Sequence, residues 1–265
     1  MSIELIILGY LAVGAVAGTM AGVFGIGGGV VIVPALRFVF AKQHIPADVA
    51  MHLAVGTSLA TIALTGASSA WGHIKRGSVK RDWFFLLLPG LGFGAIMGVL
   101  IASTLSGGVL GRLFGVFLIL LALRMIMGLN PKPGQGAPTP LGVMVAGVVI
   151  GGVSALFGIG GGVLSVPWLC RWGAKLPLAI GTSAACGMPI ALVGAVSFAI
   201  VGWGHPSLPE WSLGYIMWPA FLCIALTSVP FARLGVRLAH SLPPQRIRLA
   251  FGGVLLIIGA RFLLS

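Results

Sequence analysis

Acidic residues are nearly missing from this sequence, which has only four aspartates and glutamates among its 265 residues. Charged residues of either sign make up 8% of the chain, whereas hydrophobic residues make up 58%. A water-soluble domain of this length would carry far more charge on its surface. The composition therefore excludes a soluble globular protein.

The few carboxylates are also informative by their positions. Glu4, Asp48, Asp82 and Glu210 all lie near the ends of the apolar segments described below. Membrane proteins that relay protons or bind cations usually place ionisable groups inside their spans. The lack of any carboxylate there argues against a cation pump and favours an anionic or neutral cargo.

Cysteine is scarce as well, and Cys170, Cys186 and Cys223 do not have the spacing of a metal site or a redox pair. We therefore predict no metal and no cofactor. Residues 25–29 lack the spacing and the strand context of a dinucleotide-binding loop. Residues 66–69 (GASS) resemble a serine-enzyme elbow only superficially, and no histidine has a convincing pairing position, so we expect no enzyme.

Long apolar segments dominate the rest of the chain, and each is long enough to cross a hydrocarbon core of about 30 Å. They are residues 3–24, 49–72, 83–105, 108–128, 139–157, 176–203, 211–236 and 246–264. The sequence thus predicts an all-α polytopic membrane protein, with the lipid bilayer as a partner. The 16 lysines and arginines lie mainly in the links between segments. Basic residues in such links orient a membrane protein, so we expect no nucleic acid binding.

The most informative pattern is a glycine cluster that occurs twice. Residues 24–30 (FGIGGGV) recur as residues 157–163, and each copy is followed by a Val-Pro pair that ends at Pro34 or Pro167. Glycine costs about 1 kcal/mol relative to alanine within a helix. Both clusters are therefore predicted to break a helix inside an apolar stretch.

The duplication covers both halves of the chain. Residues 55–58 (VGTS) match residues 180–183 (IGTS), and a Pro/Gly-rich stretch lies between the halves. We predict a first membrane repeat over residues 1–129, a linker over 130–138 and a second membrane repeat over 139–265.

The first apolar stretch, residues 3–41, is too long for one crossing, because a single helix would measure about 57 Å. It must fold back at the glycine cluster. Each repeat then becomes a glycine-broken helical hairpin followed by three transmembrane helices. The odd number of remaining spans makes the two repeats inverted. The hairpins either cross fully or are re-entrant, and both alternatives stay open.

The basic residues favour this arrangement. With the hairpins, twelve of the sixteen fall on one side and only Arg37, Lys42, Arg112 and Arg261 fall on the other. If each broken stretch crossed only once, the same sixteen would divide seven to nine. The positive-inside rule therefore favours inverted repeats and predicts that both termini lie outside the cytoplasm.

The repeated glycine signature and the following G-T-S sequence resemble those of the TauE/SafE family of sulfite exporters, also called the toluene-sulfonate uptake permease superfamily. The resemblance covers both halves. It implies a bacterial cytoplasmic (inner) membrane transporter for sulfite, sulfonates or other small sulfur-containing anions, moved mainly outward by alternating access. Import of a related compound, such as thiosulfate or a sulfonate, is the alternative. A homodimer also stays open.

The glycine clusters are the first candidate binding site. A broken helix exposes backbone N–H groups, and the helix that restarts presents a positive dipole end, so together they suit an anion. The candidates are Gly25, Gly27, Gly28 and Gly29 in the first repeat and Gly158, Gly160, Gly161 and Gly162 in the second. Close helix packing through small residues is the alternative interpretation.

Hydroxyl and basic side chains complete the candidate set. Thr57, Ser58, Thr182 and Ser183 can donate to sulfonate oxygens, although such groups also bond to carbonyl groups of their own helix. His52 lies a few residues into a span and either meets an anion or has a structural role. Arg37 follows the first hairpin and either attracts anions or anchors the interface.

Overall fold

The computed structural model describes residues 3–24, 28–128, 138–241 and 244–264. Within these ranges the chain is almost entirely helical. The elements, in chain order, are α1 (Ile3–Phe24), α2 (Gly29–Lys42), α3 (Ala47–Lys75), α4 (Arg81–Thr104), α5 (Gly107–Met127), α6 (Pro140–Phe157), α7 (Gly162–Arg171), α8 (Leu176–Val201), β1 (Ser212–Leu213), β2 (Ile216–Met217), α9 (Trp218–Ser241) and α10 (Pro244–Leu264).

Several helix ends follow from local sequence. The Ser106 hydroxyl accepts a hydrogen bond from the Val109 N–H at 3.4 Å and caps α5, and Thr139 caps α6 in the same way. At the other end of α5, Gly128 adopts a left-handed conformation with φ 64°. A glycine in that conformation ends a helix without steric cost.

Seven of the described helices are long and apolar enough to span a membrane, namely α1, α3, α4, α5, α6, α8 and the first 18 residues of α9. A shorter apolar stretch, Leu249–Leu264, belongs to α10. The prediction of an all-α polytopic membrane protein is confirmed. The predicted linker lies largely outside the described residues.

One predicted segment starts too early. The apolar stretch 211–236 was expected to be a single span, but α9 begins only at Trp218. Before it, β1 and β2 pair as a short antiparallel hairpin that turns at Gly214 (φ 52°). A side chain at Gly214 would collide with the Ala199 carbonyl oxygen, so this turn packs tightly against the end of α8.

The two helices that follow the glycine clusters are short. At 1.5 Å per residue, α2 is about 21 Å long with its 14 residues, and α7 is about 15 Å long with its 10 residues. Neither reaches the roughly 30 Å of a hydrocarbon core. The second arm of each hairpin is therefore too short to cross the core alone, whereas the first arms, α1 and α6, are long enough.

The two halves of the chain pack onto each other reciprocally. Helix α1 of the first half runs along α9 of the second, and α6 of the second half runs along α4 of the first. In both pairs a glycine of one helix lies directly against the backbone of the other. The approaches are Gly14 to Ile224, Gly18 to Ser228 and Gly235 to Thr19, and equivalently Gly147 to Leu87, Gly151 to Leu91 and Gly98 to Gly152.

These approaches define which residues of the two halves are equivalent. Each residue of α6 stands 133 positions after its α1 counterpart, and each residue of α9 stands 137 positions after its α4 counterpart. Small residues allow the backbones to come this close, as is common between membrane helices.

Equivalent helices run antiparallel where they meet. Along the α3–α8 contact, Gly56 lies near Phe198 and Gly66 near Met188. Rising numbers in α3 therefore meet falling numbers in α8. The α5–α10 pair behaves alike, because Gly111 lies near Phe262 whereas Gly252 lies near Ile126.

Candidate functional site

The two glycine clusters meet inside the molecule. A side chain at Gly29 would collide with the Gly158 carbonyl oxygen and would lie 2.9 Å from the Ile159 Cα. The Ser58 hydroxyl donates a hydrogen bond to the Gly158 carbonyl oxygen at 2.8 Å. Gly25 and Gly27 lie outside the described residues. The two breaks therefore lie against each other, with Gly29, Ser58 and Gly158 at their contact.

The second break lies beside the middle of α8. A side chain at Gly187 would collide with the Gly160 carbonyl oxygen, and one at Gly161 would lie 2.9 Å from Ile190 Cδ1. Gly158 and Gly161 both adopt left-handed conformations, with φ 69° and 73°. Only glycine adopts this region at little cost, which explains why the cluster ends α6 and restarts as α7.

The second break also carries free hydrogen-bond donors. Among the described residues, the backbone N–H groups of Gly160, Gly161 and Gly162 find no acceptor. The Ser154 hydroxyl is fully buried without a described partner, and it would lie 3.6 Å from a Cβ at Gly161. Helix starts with free N–H groups attract oxyanions, so this break combines backbone donors with an unsatisfied hydroxyl.

The G-T-S residues perform a reciprocal docking function. The Thr57 hydroxyl accepts the Met217 N–H at 2.9 Å, and the Thr182 hydroxyl accepts the Lys80 N–H at 2.9 Å. Each threonine thus accepts a backbone N–H from the residue that directly precedes a helix of the other half, α9 for Thr57 and α4 for Thr182. Thr182 also donates to the Leu178 carbonyl of its own helix.

The two serines of these motifs differ in their contacts. Ser58 bonds to the Gly158 carbonyl, as described above, whereas the buried hydroxyl of Ser183 has no partner among the described residues. In the repeat alignment Ser183 is the counterpart of Ser58, and Gly25 is the counterpart of Gly158. The site role predicted for these residues stays a prediction.

His52 and Arg37 lie away from the glycine breaks. His52 is buried, and its Nδ1 and Nε2 lie 3.1 Å and 2.9 Å from the Asp48 and Ala102 carbonyl oxygens. The centre of its ring lies 5.1 Å from that of Tyr215, and the two rings are tilted by 30°. Arg37 is half-buried on α2, about 12 Å along the helix from Gly29.

A cavity of about 240 Å³ opens beside the first break. It is smaller than the roughly 300–1,000 Å³ of pockets for drug-sized ligands, and larger than one water requires. Its lining residues come from α1, the first break, α2, α3 and α9. They are Ala17, Gly18, Ala21, Gly28, Ile32, Thr65, Ser68, Ser69, Ser228, Val229, Ala232 and Arg233.

Four hydroxyl side chains and one arginine give this cavity its polarity. Thr65 donates to the Thr61 carbonyl oxygen at 3.0 Å, and Ser228 lies 3.4 Å from the Ala225 carbonyl oxygen. Within the described ranges, Ser68, Ser69 and Arg233 have no hydrogen-bond or ion-pair partner. These three exposed residues are therefore free to meet a solute.

Sequence reasoning missed most of this lining. Ser68 and Ser69 attracted notice only as an unconvincing enzyme motif, and Arg233 only as an orienting charge. A signal was present, because Thr65, Ser68 and Ser69 are spaced three and four residues apart. Residues at that spacing share one face of a helix.

Comparison with known proteins decides the family. The sequence model described as "Sulfite exporter TauE/SafE" matches residues 10–262. The chain belongs to the TauE/SafE family. No solved protein structure shows significant similarity to it.

Related proteins carry the same general description. A probable membrane transporter protein of Haemophilus influenzae is 37% identical over 256 residues, which cover 96% of this chain and 97% of the relative. A probable membrane transporter protein of Methanocaldococcus jannaschii is 28% identical over 96% of this chain and 94% of its own length. The probable membrane transporter YunE of Bacillus subtilis is 28% identical over 96% of both chains.

The family and the helices lead to the same class of protein. This TauE/SafE chain is a multi-pass membrane transporter and not an enzyme.

Proposed function

We propose that this TauE/SafE protein is a secondary transporter that exports a small sulfur-containing anion, such as sulfite or a short organosulfonate, by alternating access. The observation that carries the proposal is the cavity beside Gly28. Its described lining has one cation, Arg233, and four hydroxyl side chains, but no carboxylate. That chemistry suits an oxyanion, because guanidinium and hydroxyl groups all donate hydrogen bonds to its oxygens.

The second glycine break supports a deeper holding position. The free N–H groups of Gly160, Gly161 and Gly162 and the buried hydroxyl of Ser154 can accommodate the oxygens of an anion without a buried cation. Because Gly28 lines the cavity and Gly29 contacts Gly158, this position lies close to the cavity. Broken helices at a repeat interface hold substrates in several transporter folds.

The antiparallel contacts support two inverted repeats. The equivalent helices α3 and α8 run in opposite directions, and so do α5 and α10. Together with the asymmetric distribution of basic residues, this favours a cytoplasmic membrane location with both termini outside the cytoplasm. The cavity beside Gly28 then opens toward the cytoplasm, since it follows α3 and α9 toward their C-terminal ends.

The membrane potential favours export of an anion over its import. An inside-negative potential favours exit of an anion by about 2.3 kcal/mol per charge per 100 mV. Export therefore needs no coupling ion in principle. Import through the same architecture would require coupling, and the described part of the cavity lining offers no carboxylate to carry a proton.

Transport in reconstituted vesicles tests the proposal. We expect the purified protein to move sulfite or short sulfonates out of loaded proteoliposomes, faster when the interior is made negative. Gly28→Leu, which fills the cavity mouth, should slow this flux. Gly92→Leu is the matched control, because a Cβ there meets no atom within 4 Å. Absence of flux for sulfite, thiosulfate and short sulfonates would refute the proposal, as would equal flux in the Gly28 variant.

A further inference from the structure

The two halves provide equivalent positions with very different chemistry. By the α4–α9 equivalence, the counterpart of Arg233 is Ile96 and the counterpart of Ser228 is Leu91. The G-T-S motifs give the α3–α8 equivalence, with α8 residues 125 positions after their α3 counterparts. The counterparts of Thr65, Ser68 and Ser69 are then Ile190, Val193 and Gly194. Every hydroxyl and the single charge in the described lining of the cavity thus has an apolar or glycine residue at its counterpart position.

The nearest side chains at the counterpart positions are also apolar. Ile190 Cδ1 would lie 2.9 Å from a Cβ at Gly161, and Leu59 Cδ1 would lie 2.9 Å from a Cβ at Gly194. The described cavity lining is therefore polar where its counterpart positions are apolar or glycine.

We propose that Arg233, with Ser68 and Ser69, forms an anion-capturing mouth on one face of the membrane, and that the equivalent mouth on the opposite face lacks this recognition. The proposal rests on the proposed function, because the two mouths serve the same substrate path. Arg233 is the charge-recognition residue, and the two serine hydroxyls add hydrogen-bond donors. The ligand class is a small oxyanion.

This asymmetry has a kinetic consequence. A carrier without coupling cannot bias an equilibrium, so the ratio of maximal rate to KM is equal in both directions at zero potential. Stronger anion binding at the mouth on the face where α3 and α9 end gives a lower KM and a lower maximal rate from that face. The protein then loads anions at low concentration from that face and releases them readily at the other.

Sided transport kinetics test the inference. Proteoliposomes are separated by orientation with an affinity tag at the C-terminus, and the KM for radiolabelled sulfite is measured from each face at zero potential. We expect the KM to be about tenfold lower at the face where α3 and α9 end, the size expected for one hydrogen-bonded charge. Arg233→Gln should raise this KM about tenfold or more, and Arg233→Lys should raise it less.

Three further variants provide a control and two independent tests of the proposed mouth. Arg112→Gln removes an exposed arginine on α5 outside the cavity lining and should leave both KM values unchanged. Ile96→Arg introduces the missing charge at the counterpart position and should lower the KM at the opposite face. The double variant Ser68→Ala with Ser69→Ala should raise the KM severalfold at the capturing face, and it tests the mouth even if Arg233→Gln fails to fold.

The outcomes separate the two proposals. If the unmodified protein transports none of the anions, the proposed function fails. If it transports sulfite with equal KM from both faces, or if Arg233→Gln binds like the unmodified protein because the side chain only reaches the membrane surface, the proposed function stands and this inference is overturned.

Discussion

Ser58 and Gly158 connect the two halves of the molecule at the point where both helices are broken. The Ser58 hydroxyl on α3 donates to the Gly158 carbonyl oxygen that ends α6, at a distance of 2.8 Å. The bond satisfies a carbonyl that the left-handed turn removes from the helix. It therefore holds the second break against the middle part of α3.

Removing this hydroxyl should loosen the contact. We expect Ser58→Ala to lower the free energy of unfolding by about 0.6 kcal/mol, and by up to about 1.7 kcal/mol, the range measured for hydrogen bonds between membrane helices. The apparent melting temperature in detergent measures the effect. Ser103→Ala is the control, because its hydroxyl bonds only to the Leu100 carbonyl of its own helix. Equal melting temperatures for both variants would contradict the prediction.

The reciprocal threonines provide a second test. Thr57→Val and Thr182→Val keep the shape of the side chain but leave the N–H groups of Met217 and Lys80 without their acceptor. A backbone donor left unsatisfied costs about 1–3 kcal/mol. We expect both variants to melt earlier by similar amounts.

Serine at the same two positions should rescue most of that stability, because it retains the hydroxyl. If the valine variants instead keep their melting temperature and raise the KM for sulfite, the threonines are substrate ligands and not docking residues.

The equivalent glycines Gly28 and Gly161 should respond differently to alanine. Gly161 has φ 73°, whereas Gly28 caps α2 with φ −69° and ψ −14°. A left-handed conformation costs a non-glycine residue about 1–2 kcal/mol, and the new Cβ would also press on Ile190. We expect Gly161→Ala to lower the melting temperature more than Gly28→Ala does. A larger loss of melting temperature for Gly28→Ala than for Gly161→Ala would contradict this prediction.

The sequence predicts the architecture well because its physical signals are local. Apolar segment length predicts the spans. The glycine clusters predict the helix breaks, which the structure places directly before α2 and α7. The hairpin at 212–217 is missed because an apolar segment does not reveal a turn that depends on packing against α8. Hydropathy cannot detect Gly214 as the centre of a turn.

The cavity is harder to predict because it depends on contacts between distant parts of the chain. Arg233 lines the same cavity as Gly28 only because α9 packs along α1, and Ser68 joins this lining from α3. Within its own segment, each of these residues can be explained without a cavity, for example Arg233 as a charge that orients the protein in the membrane. The docking contacts of Thr57 and Thr182 are missed for the same reason, since their partners lie 160 and 102 positions away.

Substitution of His52 tests whether this residue has a structural role or a role in transport. Both ring nitrogens lie within hydrogen-bond distance of backbone carbonyls, one of them at the end of α4. We expect His52→Ala to lower the melting temperature because it breaks the contact between α3 and α4, and to leave the pH profile of transport unchanged. His44→Asn is the control, since His44 is exposed with φ 58° and asparagine adopts that conformation readily. A shifted pH profile in the His52 variant alone would assign it a role in transport.

The orientation of the chain gives a final prediction. The proposed inverted repeats, together with the distribution of the basic residues, predict that both termini lie outside the cytoplasm and that the turn between α3 and α4 lies inside it. Alkaline phosphatase fused after Ser265 should be active in cells, because it folds only outside the cytoplasm. A fluorescent protein inserted at Gly77, where a side chain would meet no atom within 4 Å, should fluoresce. Between Gly77 and the C-terminus lie five spans, α4, α5, α8, α9 and α10, and the α6–α7 hairpin, whose two ends lie on the same side. An odd number of spans requires opposite sides, so two fusions that report the same side of the membrane would contradict this topology.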